Sequence, residues 1–412
     1  MATETVELAG HIVDSLVLAK ILDLIVDAGV EYRLETVEIG RTNLDPSRVV
    51  IELSHADETT IDALCERLEV HGASRVGNSD AELVVADRDG VLPAGFHSTT
   101  NLVTDVRLDG RWVTVENPEM DCGLVVRALD GQPPTVRTVP MHRIAAGDQV
   151  VVGHAGVRVH PPERDRDIRA FEFMNSDVSS EKPKALLVRQ VADRLRAARE
   201  RGGRILAVCG PAVVHTGGGP ALAELVHEGW IDALFTGNGF ATHDMESNVL
   251  GTSLGVSVTS GHGTEGGHSN HLRLINELRR HGSIAAAVDA GYVTGGVMFE
   301  CVRQAVPFVL GGSVRDDGPL PDTIADVVAA ADAMRELVPG VTVALMLAST
   351  LHAIAAGNLL PGSVETFCVD INQAVVTKLA DRGSHQALGI VTDVGPFLHD
   401  LATELTGPDA PR

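Results

Sequence analysis

The chain has 412 residues, enough for two or three domains, and its formal net charge of −23 argues against nucleic acids and anionic membranes as partners. Apolar residues make up 44% of the chain but aromatic residues only 3%, so its cores must be built from Val, Leu, Ile and Ala. The five cysteines form no CxxC pair, and no apolar run reaches the roughly 18 residues of a membrane span. We therefore predict a reduced, cytoplasmic protein without a signal peptide.

Residues 1–80 alternate between helical and strand patterns, which predicts a small α+β domain. Apolar residues recur with helical spacing over residues 11–30 and 58–68. Between these helices, strands are predicted over residues 32–39 and 49–53.

Residues 81–165 carry strand and turn signals without a helical period, which predicts a β-rich module. Its hairpin signals are two Asp-Gly turns, Asp109-Gly110 and Asp130-Gly131. A charged, irregular stretch over residues 161–182 marks the next boundary.

Residues 166–412 alternate strands and helices to the end, which predicts a doubly wound parallel sheet that forms a Rossmann-like domain. Its clearest unit is an apolar strand over residues 205–208, a glycine-rich stretch from Cys209 to Gly219, and a helix over 221–226. A strand, glycine turn and helix start can hold a phosphate, because backbone N–H groups point at the ligand. An ordinary tight turn is the alternative.

Polar clusters follow five further strands of this domain. They are Gly237-Asn238-Gly239, Gly311-Gly312-Ser313, Ala348-Ser349-Thr350, Val369-Asp370 and Thr392-Asp393. Ligands of open parallel sheets bind outside the carboxyl ends of the strands, so we predict the site at this edge.

The expected dinucleotide fingerprint, GxGxxG with an acid at the end of the second strand, is absent from the sequence. The strand-end acids are instead Asp370 and Asp393. Each can accept ribose hydroxyls, which favours NAD over NADP, or cap the following helix, and the two roles can coexist. Asn238, between two glycines, is predicted to have a positive φ and an amide that contacts the ligand, or to lie in an ordinary loop. The segment that starts at Ser349 forms an anion-binding site with its backbone N–H groups, or Ser349 only caps the helix that follows.

Three other features permit both a functional and a structural interpretation. His262, Glu265, His268 and His271 are irregularly spaced, so we predict no metal site but a loop leading to a helix capped by Ser269. Lys378 faces a phosphate or an acidic partner, or it is a solvated helix lysine. Asp121 either lines a substrate cleft or lies in a buried turn.

Motifs along the whole chain resemble one family. His11–Ser15, Gly40–Pro46 and Gly95–Leu102 are similar to the conserved region named after lysine-ketoglutarate reductase/saccharopine dehydrogenase, LOR/SDH. The likeness continues through Glu119–Cys122, Gly210–Gly218, Gly237–Asp244 and Asp370–Gly383. From about residue 8 to 405, the chain resembles the archaeal-type ornithine cyclodeaminases and the C-terminal half of cyanobacterial arginine dihydrolase/ornithine cyclodeaminases. The dihydrolase half is absent from this sequence.

This resemblance implies a nucleotide domain similar to that of deoxyhypusine synthase, and conversion of L-ornithine to L-proline and ammonia with NAD recycled. The implied NAD contacts are Asn238, Gly239, Asp317, Ser349, Thr350, Leu351, His352, Asp370, Asp393 and Val394. The chain departs from the family at Gly239, where alanine is more common, and in the stretch 262–268.

The substrate carries two amines and a carboxylate, so acidic side chains are the expected amine partners or bases. The candidates are Asp121, Asp244, Glu246 and Asp317, with His215 as a proton shuttle. A lysine, saccharopine or opine-type dehydrogenase and a non-enzymatic NAD-binding module are the alternatives. We expect a small amino-acid ligand and a homo-oligomer, dimer or tetramer. The choice between ornithine and lysine and the identity of the general base stay open.

Overall fold

The computed structural model describes residues 2–10, 12–13, 17–40, 45, 47–69, 71–76, 79–127, 133–160, 178–179, 184–253, 256–257, 269–316, 318–381 and 387–407. The chain forms two compact units. The first is Met1–Asn175 with Leu360–Ser363, and the second is Ser176–Leu359 with Val364–Arg412.

The first unit opens with a four-stranded antiparallel sheet in the order β2-β3-β1-β4. Its elements are β1 (Ala2–Gly10), α1 (Val17–Asp27), β2 (Glu31–Glu38), β3 (Ser47–His55), α2 (Glu58–Glu69) and β4 (Ser74–Arg75). Alternate residues of β1 and β3, among them Leu8 and Ile51, are fully buried with Ile21 and Ile25 of α1. The helix predicted over residues 11–30 is observed over Val17–Asp27.

A second sheet of this unit has seven strands in the order β11-β6-β7-β9-β8-β10-β5. They are β5 (Glu82–Val85), β6 (Thr104–Leu108), β7 (Arg111–Glu116), β8 (Gly123–Arg127), β9 (Thr135–Val139), β10 (Gln149–Val152) and β11 (Val157–Val159), with a 3-10 turn over Met141–Arg143. The hairpin predicted at Asp109-Gly110 is confirmed: both residues have positive φ, 49° and 75°, as a tight turn between β6 and β7 requires. Asp130-Gly131 lies outside the described residues.

The second unit contains the predicted parallel sheet. Its strands are β12 (Val178–Ser179), β13 (Arg204–Cys209), β14 (Ala233–Gly237), β15 (Thr252–Ser253), β16 (Val256–Ser257), β17 (Phe308–Gly311), β18 (Thr323–Ile324), β19 (Val341–Leu347), β20 (Glu365–Asp370) and β21 (Ala387–Val391). Its helices are α3 (Lys184–Glu200), α4 (Ala212–His215), α5 (Gly219–His227), α6 (Asn238–Val249), α7 (Asn270–His281), α8 (Ile284–Asp289), α9 (Val297–Arg303), α10 (Val327–Leu337), α11 (Leu351–Leu359), α12 (Gln373–Asp381) and α13 (Val394–Thr406).

Eight of these strands are ordered β12-β21-β20-β19-β13-β14-β17-β18, and every adjacent pair is parallel. The chain leaves β13 toward β14 and β17, then crosses back to β19 and continues outward in the other direction. The order of the strands therefore reverses between β13 and β19, where doubly wound sheets bind their ligands. The small strands β15 and β16 pair separately.

Each central strand is almost wholly buried, which explains the continuous apolar runs of this half. All five cysteines are free and buried, so Cys209 and Cys368 are core residues as predicted. Among the described residues, no helix is long and apolar enough to cross a membrane.

Candidate functional site

The carboxyl ends of β13 and β19 meet at the point where the strand order reverses. Cys209 and Leu347, the last residues of the two strands, are in register, and the N–H of Gly210 donates to the carbonyl of Leu347 at 2.9 Å. A Cβ atom at Gly210 would collide with the carbonyl oxygen of Ala348. The two loops can therefore approach this closely only because residue 210 is glycine.

The ring of His352, in the first turn of α11, lies close to the last residues of β14 and β17. A Cβ atom added at Gly237 would be 2.7 Å from its Cε1, and one at Gly311 would be 3.5 Å from its Nε2. Desolvation lowers the pKa of His352, although Asp316 opposes the change. This change favours the neutral ring, which can offer one donor and one acceptor to a ligand.

Asn238 is the first residue of α6, and its buried side chain organises the loop beyond β17. Its Oδ1 accepts the N–H of Leu320 at 2.8 Å and the hydroxyl of Thr323 at 3.1 Å. The prediction of a positive φ at Asn238 is wrong, because Asn238 is the first residue of a helix. Gly239 is the second residue of the same helix. Asp317 lies outside the described residues.

The two acidic strand ends have the hydrogen bonds expected of helix and turn caps. Asp393 caps α13, its Oδ1 accepting the N–H of Gly395 at 3.0 Å, and Val394 begins that helix. Oδ1 of Asp370, a buried residue at the end of β20, accepts the N–H of Asn372 at 2.8 Å. A carboxylate has about four acceptor positions, so one such bond leaves capacity for ribose hydroxyls.

Exposed apolar side chains follow three of the strand ends, a feature that sequence reasoning missed. Val314 follows β17, Leu351 follows β19 and Ile371 follows β20, and they are 107%, 79% and 75% exposed. We call them the apolar rim. Beside Leu351, Ser349 is buried and Thr350 is exposed. Apolar side chains grouped at one edge of a sheet are suited to cover the flat faces of a nucleotide base.

A group of contacting polar side chains, here called the histidine network, lies on the segments that follow β13 and β14. His243 Nδ1 is 2.9 Å from Oε2 of Glu246, and Oε1 of Glu246 accepts the hydroxyl of Thr252 at 2.8 Å. The ring of His215 packs edge-on against that of His243, with centroids 4.8 Å apart, and its Nδ1 is 2.8 Å from Oγ of Ser253. Desolvation lowers the pKa of His215; His243 also lowers it, and Glu246 raises it. His243 and Glu246 are three residues apart, so they lie on one face of a helix. This spacing is the sequence signal from which the pair could have been predicted.

Asp244 is fully buried and holds the start of α9. Its two carboxylate oxygens accept the N–H groups of Val297 and Met298, at 3.0 and 2.9 Å. Burial raises the pKa of Asp244 to about 6, while these two bonds lower it. Its catalytic role stays a prediction, and in the structure its carboxylate serves as a helix cap.

Two other predicted residues are exposed. Asp121 lies in the first unit, in the turn before β8, with a φ of 60°. Lys378 is exposed on α12, as expected of a solvated lysine.

Of the four residues considered as metal ligands, the structure describes only His271, on α7 and 6.4 Å from the ring of His243. His262, Glu265 and His268 lie outside the described residues, so the structure does not address the predicted absence of a metal site there. Within the described part of the chain, no cluster of ligating side chains could hold a metal ion. The helix predicted after Ser269 is α7, but the prediction that the Ser269 side chain caps it is wrong, because that side chain makes no capping hydrogen bond to the helix.

Three family models together match nearly the whole chain. The LOR/SDH bifunctional enzyme conserved region matches residues 3–102. The first region and the Rossmann fold of the C-terminal part of ArgZ-like arginine dihydrolases match residues 103–188 and 189–401.

Known proteins resemble the chain over most or nearly all of its length. The ornithine cyclodeaminase of Methanocaldococcus jannaschii is 51% identical over 98% of this chain and 96% of its own. A crystal structure of a conserved LOR/SDH protein from Methanococcus maripaludis S2 is 46% identical, with a TM-score of 0.75 over 79% of this chain and 98% of that one. A ternary complex of AgrE with ornithine and NAD⁺ is 40% identical, with a TM-score of 0.53 over 99% of this chain and 58% of that one. AgrE is the bifunctional arginine dihydrolase/ornithine cyclodeaminase of Nostoc.

Proposed function

We propose that this chain, which belongs to the ornithine cyclodeaminase family, converts L-ornithine to L-proline and ammonia with NAD as its cofactor. The observation that carries the proposal is the 40% identity, over 99% of this chain, to a protein whose structure was determined with ornithine and NAD⁺. The similarity includes both units, so the activity is attributed to the whole chain and not to the parallel sheet alone.

The residues at the carboxyl edge fit a dinucleotide. Gly210 allows two loops to close against each other, the apolar rim offers a surface for a base, and Asp370 and Asp393 can accept the hydroxyls of a ribose. When bound, NAD⁺ supplies a reversible hydride acceptor for the Cα of ornithine, so the overall reaction is redox-neutral. A carboxylate beside the ribose would repel a 2′-phosphate, which favours NAD over NADP.

The protein must also bind two amines and move protons. Among the residues predicted to do so, His215 has the most suitable surroundings: it is exposed, and its lowered pKa keeps the imidazole neutral and ready to accept a proton. Asp121 and Asp317 remain proposed partners for the substrate amines. Asp244 is proposed to act by holding α9 in place, since both of its oxygens accept backbone N–H groups.

The test is turnover of ornithine with substoichiometric NAD⁺. Proline and ammonia should form in equal amounts and NADH should not accumulate. Ornithine deuterated at Cα should give proline that keeps the label at C2. Stoichiometric NADH without proline would instead identify an amino-acid dehydrogenase, and no turnover of ornithine or lysine would leave only NAD binding.

Two further properties are part of the proposal. A homo-oligomer, dimer or tetramer, is tested by light scattering coupled to size-exclusion chromatography. Location in the cytoplasm is supported by five free cysteines and is tested by cell fractionation.

A further inference from the structure

We propose that Glu246, His243 and His215 form an acid–base relay, in which His215 exchanges a proton with a substrate amine and the charge of Glu246, hydrogen-bonded to His243, supports that exchange through the edge-on contact of the two rings. This inference rests on the proposed function and deepens it. His215 is the proposed catalytic residue, whereas His243 and Glu246 are positioning residues.

The hydrogen bonds assign a direction to the inner end of the relay. Asn270 Nδ2 donates to Oγ1 of Thr252 at 2.9 Å, so the Thr252 hydroxyl proton is directed to Oε1 of Glu246. The other oxygen of Glu246 faces Nδ1 of His243 at 2.9 Å. In the proposed relay Glu246 is ionised and only accepts hydrogen bonds, so Nδ1 of His243 donates to it.

Burial decreases stepwise along the relay. The side chain of Glu246 is 0% exposed and that of His243 is 13% exposed, whereas His215 is exposed. The relay also follows the ends of two adjacent strands: His215 is six residues beyond Cys209, and His243 is six residues beyond Gly237. The relay therefore runs from the interior toward the carboxyl edge of the sheet.

A short strand fixes both ends of the relay at once. Thr252 of β15 bonds to Glu246, and its neighbour Ser253 bonds to Nδ1 of His215. Burying a carboxylate is costly unless it is paired, and apolar residues would fill the same volume at lower cost. A buried carboxylate with directed hydrogen bonds to a histidine is an arrangement that acid–base catalysis uses.

The proton balance of the reaction requires such a group. Ornithine carries ammonium groups at neutral pH, and an amine must lose a proton before its carbon or nitrogen can react. In the first step, an N–H bond of the substrate ammonium breaks and an N–H bond forms on His215. In a later step, the His215 N–H bond breaks and an N–H bond forms on the departing amine. The relay ends in its starting state, and no oxidant or reductant beyond the proposed NAD is needed.

The decisive variant is Glu246→Gln, which keeps the shape of the side chain and removes its charge. Since Glu246 raises the pKa of His215, its loss should lower that pKa and move the acidic limb of the kcat/KM profile to lower pH. We expect kcat to fall about tenfold or more with NAD affinity unchanged, and His215→Gln to cost about 10²–10⁴-fold, as for other general acid–base groups. The ring of the ionisable His271 lies 6.4 Å from that of His243, so His271→Asn is included to show that His271 does not set the acidic limb.

Two variants separate the relay from a loss of folding. Thr252→Val keeps the charge of Glu246 and should give a smaller loss of kcat. The matched control is Glu300→Gln, which removes the carboxylate of another His–Glu pair: His227 Nδ1 lies 3.0 Å from Oε2 of Glu300, at the far end of α5. Its kcat and pH profile should equal those of the wild type.

A second measurement does not depend on turnover. NMR titration of ¹³Cε1-labelled histidines, with the His215 signal assigned from His215→Gln, should show a lower pKa for His215 in Glu246→Gln but not in Glu300→Gln. An unchanged His215 titration, or an unchanged pH limb and kcat in Glu246→Gln, would overturn the relay. If wild-type protein makes no proline, the proposed function fails and the assignment of this relay to ornithine fails with it, even where the titration behaves as expected.

Discussion

Asp244 offers a quantitative test of how burial and hydrogen bonding compete at one carboxylate. Its pKa is raised to about 6 from a usual value of 3.8, because desolvation outweighs two backbone hydrogen bonds. Between these two pH values the folded state keeps a proton that the unfolded state has released. The stability associated with that proton is therefore present at low pH and is lost as the pH rises through 6. At 1.36 kcal/mol per pH unit, a shift of about two units corresponds to about 3 kcal/mol.

Asp244→Asn removes this titration and keeps one acceptor for the start of α9. The free energy of unfolding of the wild type relative to this variant should therefore fall by about 2.4 kcal/mol from pH 4 to pH 8, the part of the total that lies above pH 4. Because the chain has two tryptophans, and Trp112 lies in the first unit, a Trp112→Phe background leaves Trp230 as the fluorescent reporter of the second unit during urea unfolding. A difference that is constant or rises with pH would refute the reasoning, since it would mean that the two N–H groups and the helix N-terminus keep Asp244 ionised.

Three further predictions concern the carboxyl edge and the region around His271. NAD should bind about 100-fold or more tightly than NADP, and Asp370→Ala should weaken NAD binding by about 1–3 kcal/mol through loss of charge-assisted hydrogen bonds; calorimetry giving equal affinities would reject this assignment. Dialysis against EDTA should leave activity unchanged, and one zinc per chain by elemental analysis would contradict the loop interpretation of residues 262–271. Gly237→Ala should lower the melting temperature, because the new Cβ would lie 2.7 Å from Cε1 of His352. The control Gly239→Ala, whose Cβ would lie 3.5 Å from Cγ of Pro211, should melt within a few degrees of wild type. Equal melting temperatures of the two variants would show that His352 moves aside easily.

The position of the candidate site could be predicted from the sequence because it depends on periodicity. Buried parallel strands are continuous apolar runs, and in a doubly wound sheet all of their carboxyl ends lie at one edge. Five polar clusters following five such runs therefore had to meet, and the pairing of Gly237 with Gly311 and of Leu347 with Val369 confirms it. The reversal of strand order between β13 and β19 is likewise the expected doubly wound order.

Features that depend on contacts between side chains of separate elements could not be predicted from periodicity. Asn238 was expected to be a loop residue because glycines flank it, but strand β14 ends one residue earlier and the helix begins at once. The glycine-rich stretch after β13 contains the short helix α4, which carries His215 to His243. The contact of Asn238 with Leu320 and that of His215 with His243 leave no periodic signal in the sequence, because each joins residues from separate elements.

The strand-end acids show why residue type alone could not separate a structural role from a functional one. Asp393 was interpreted both as a helix cap and as a ribose ligand, and the cap is observed. The two roles need the same chemistry, an acceptor held at the end of a strand where N–H groups begin a helix. Because Asp393 uses one oxygen for the N–H of Gly395, the cap also fixes the direction of the carboxylate. A capped acid is thus already oriented before any hydroxyl arrives, so the capping bond is compatible with the proposed ribose contact of Asp393 and does not compete with it.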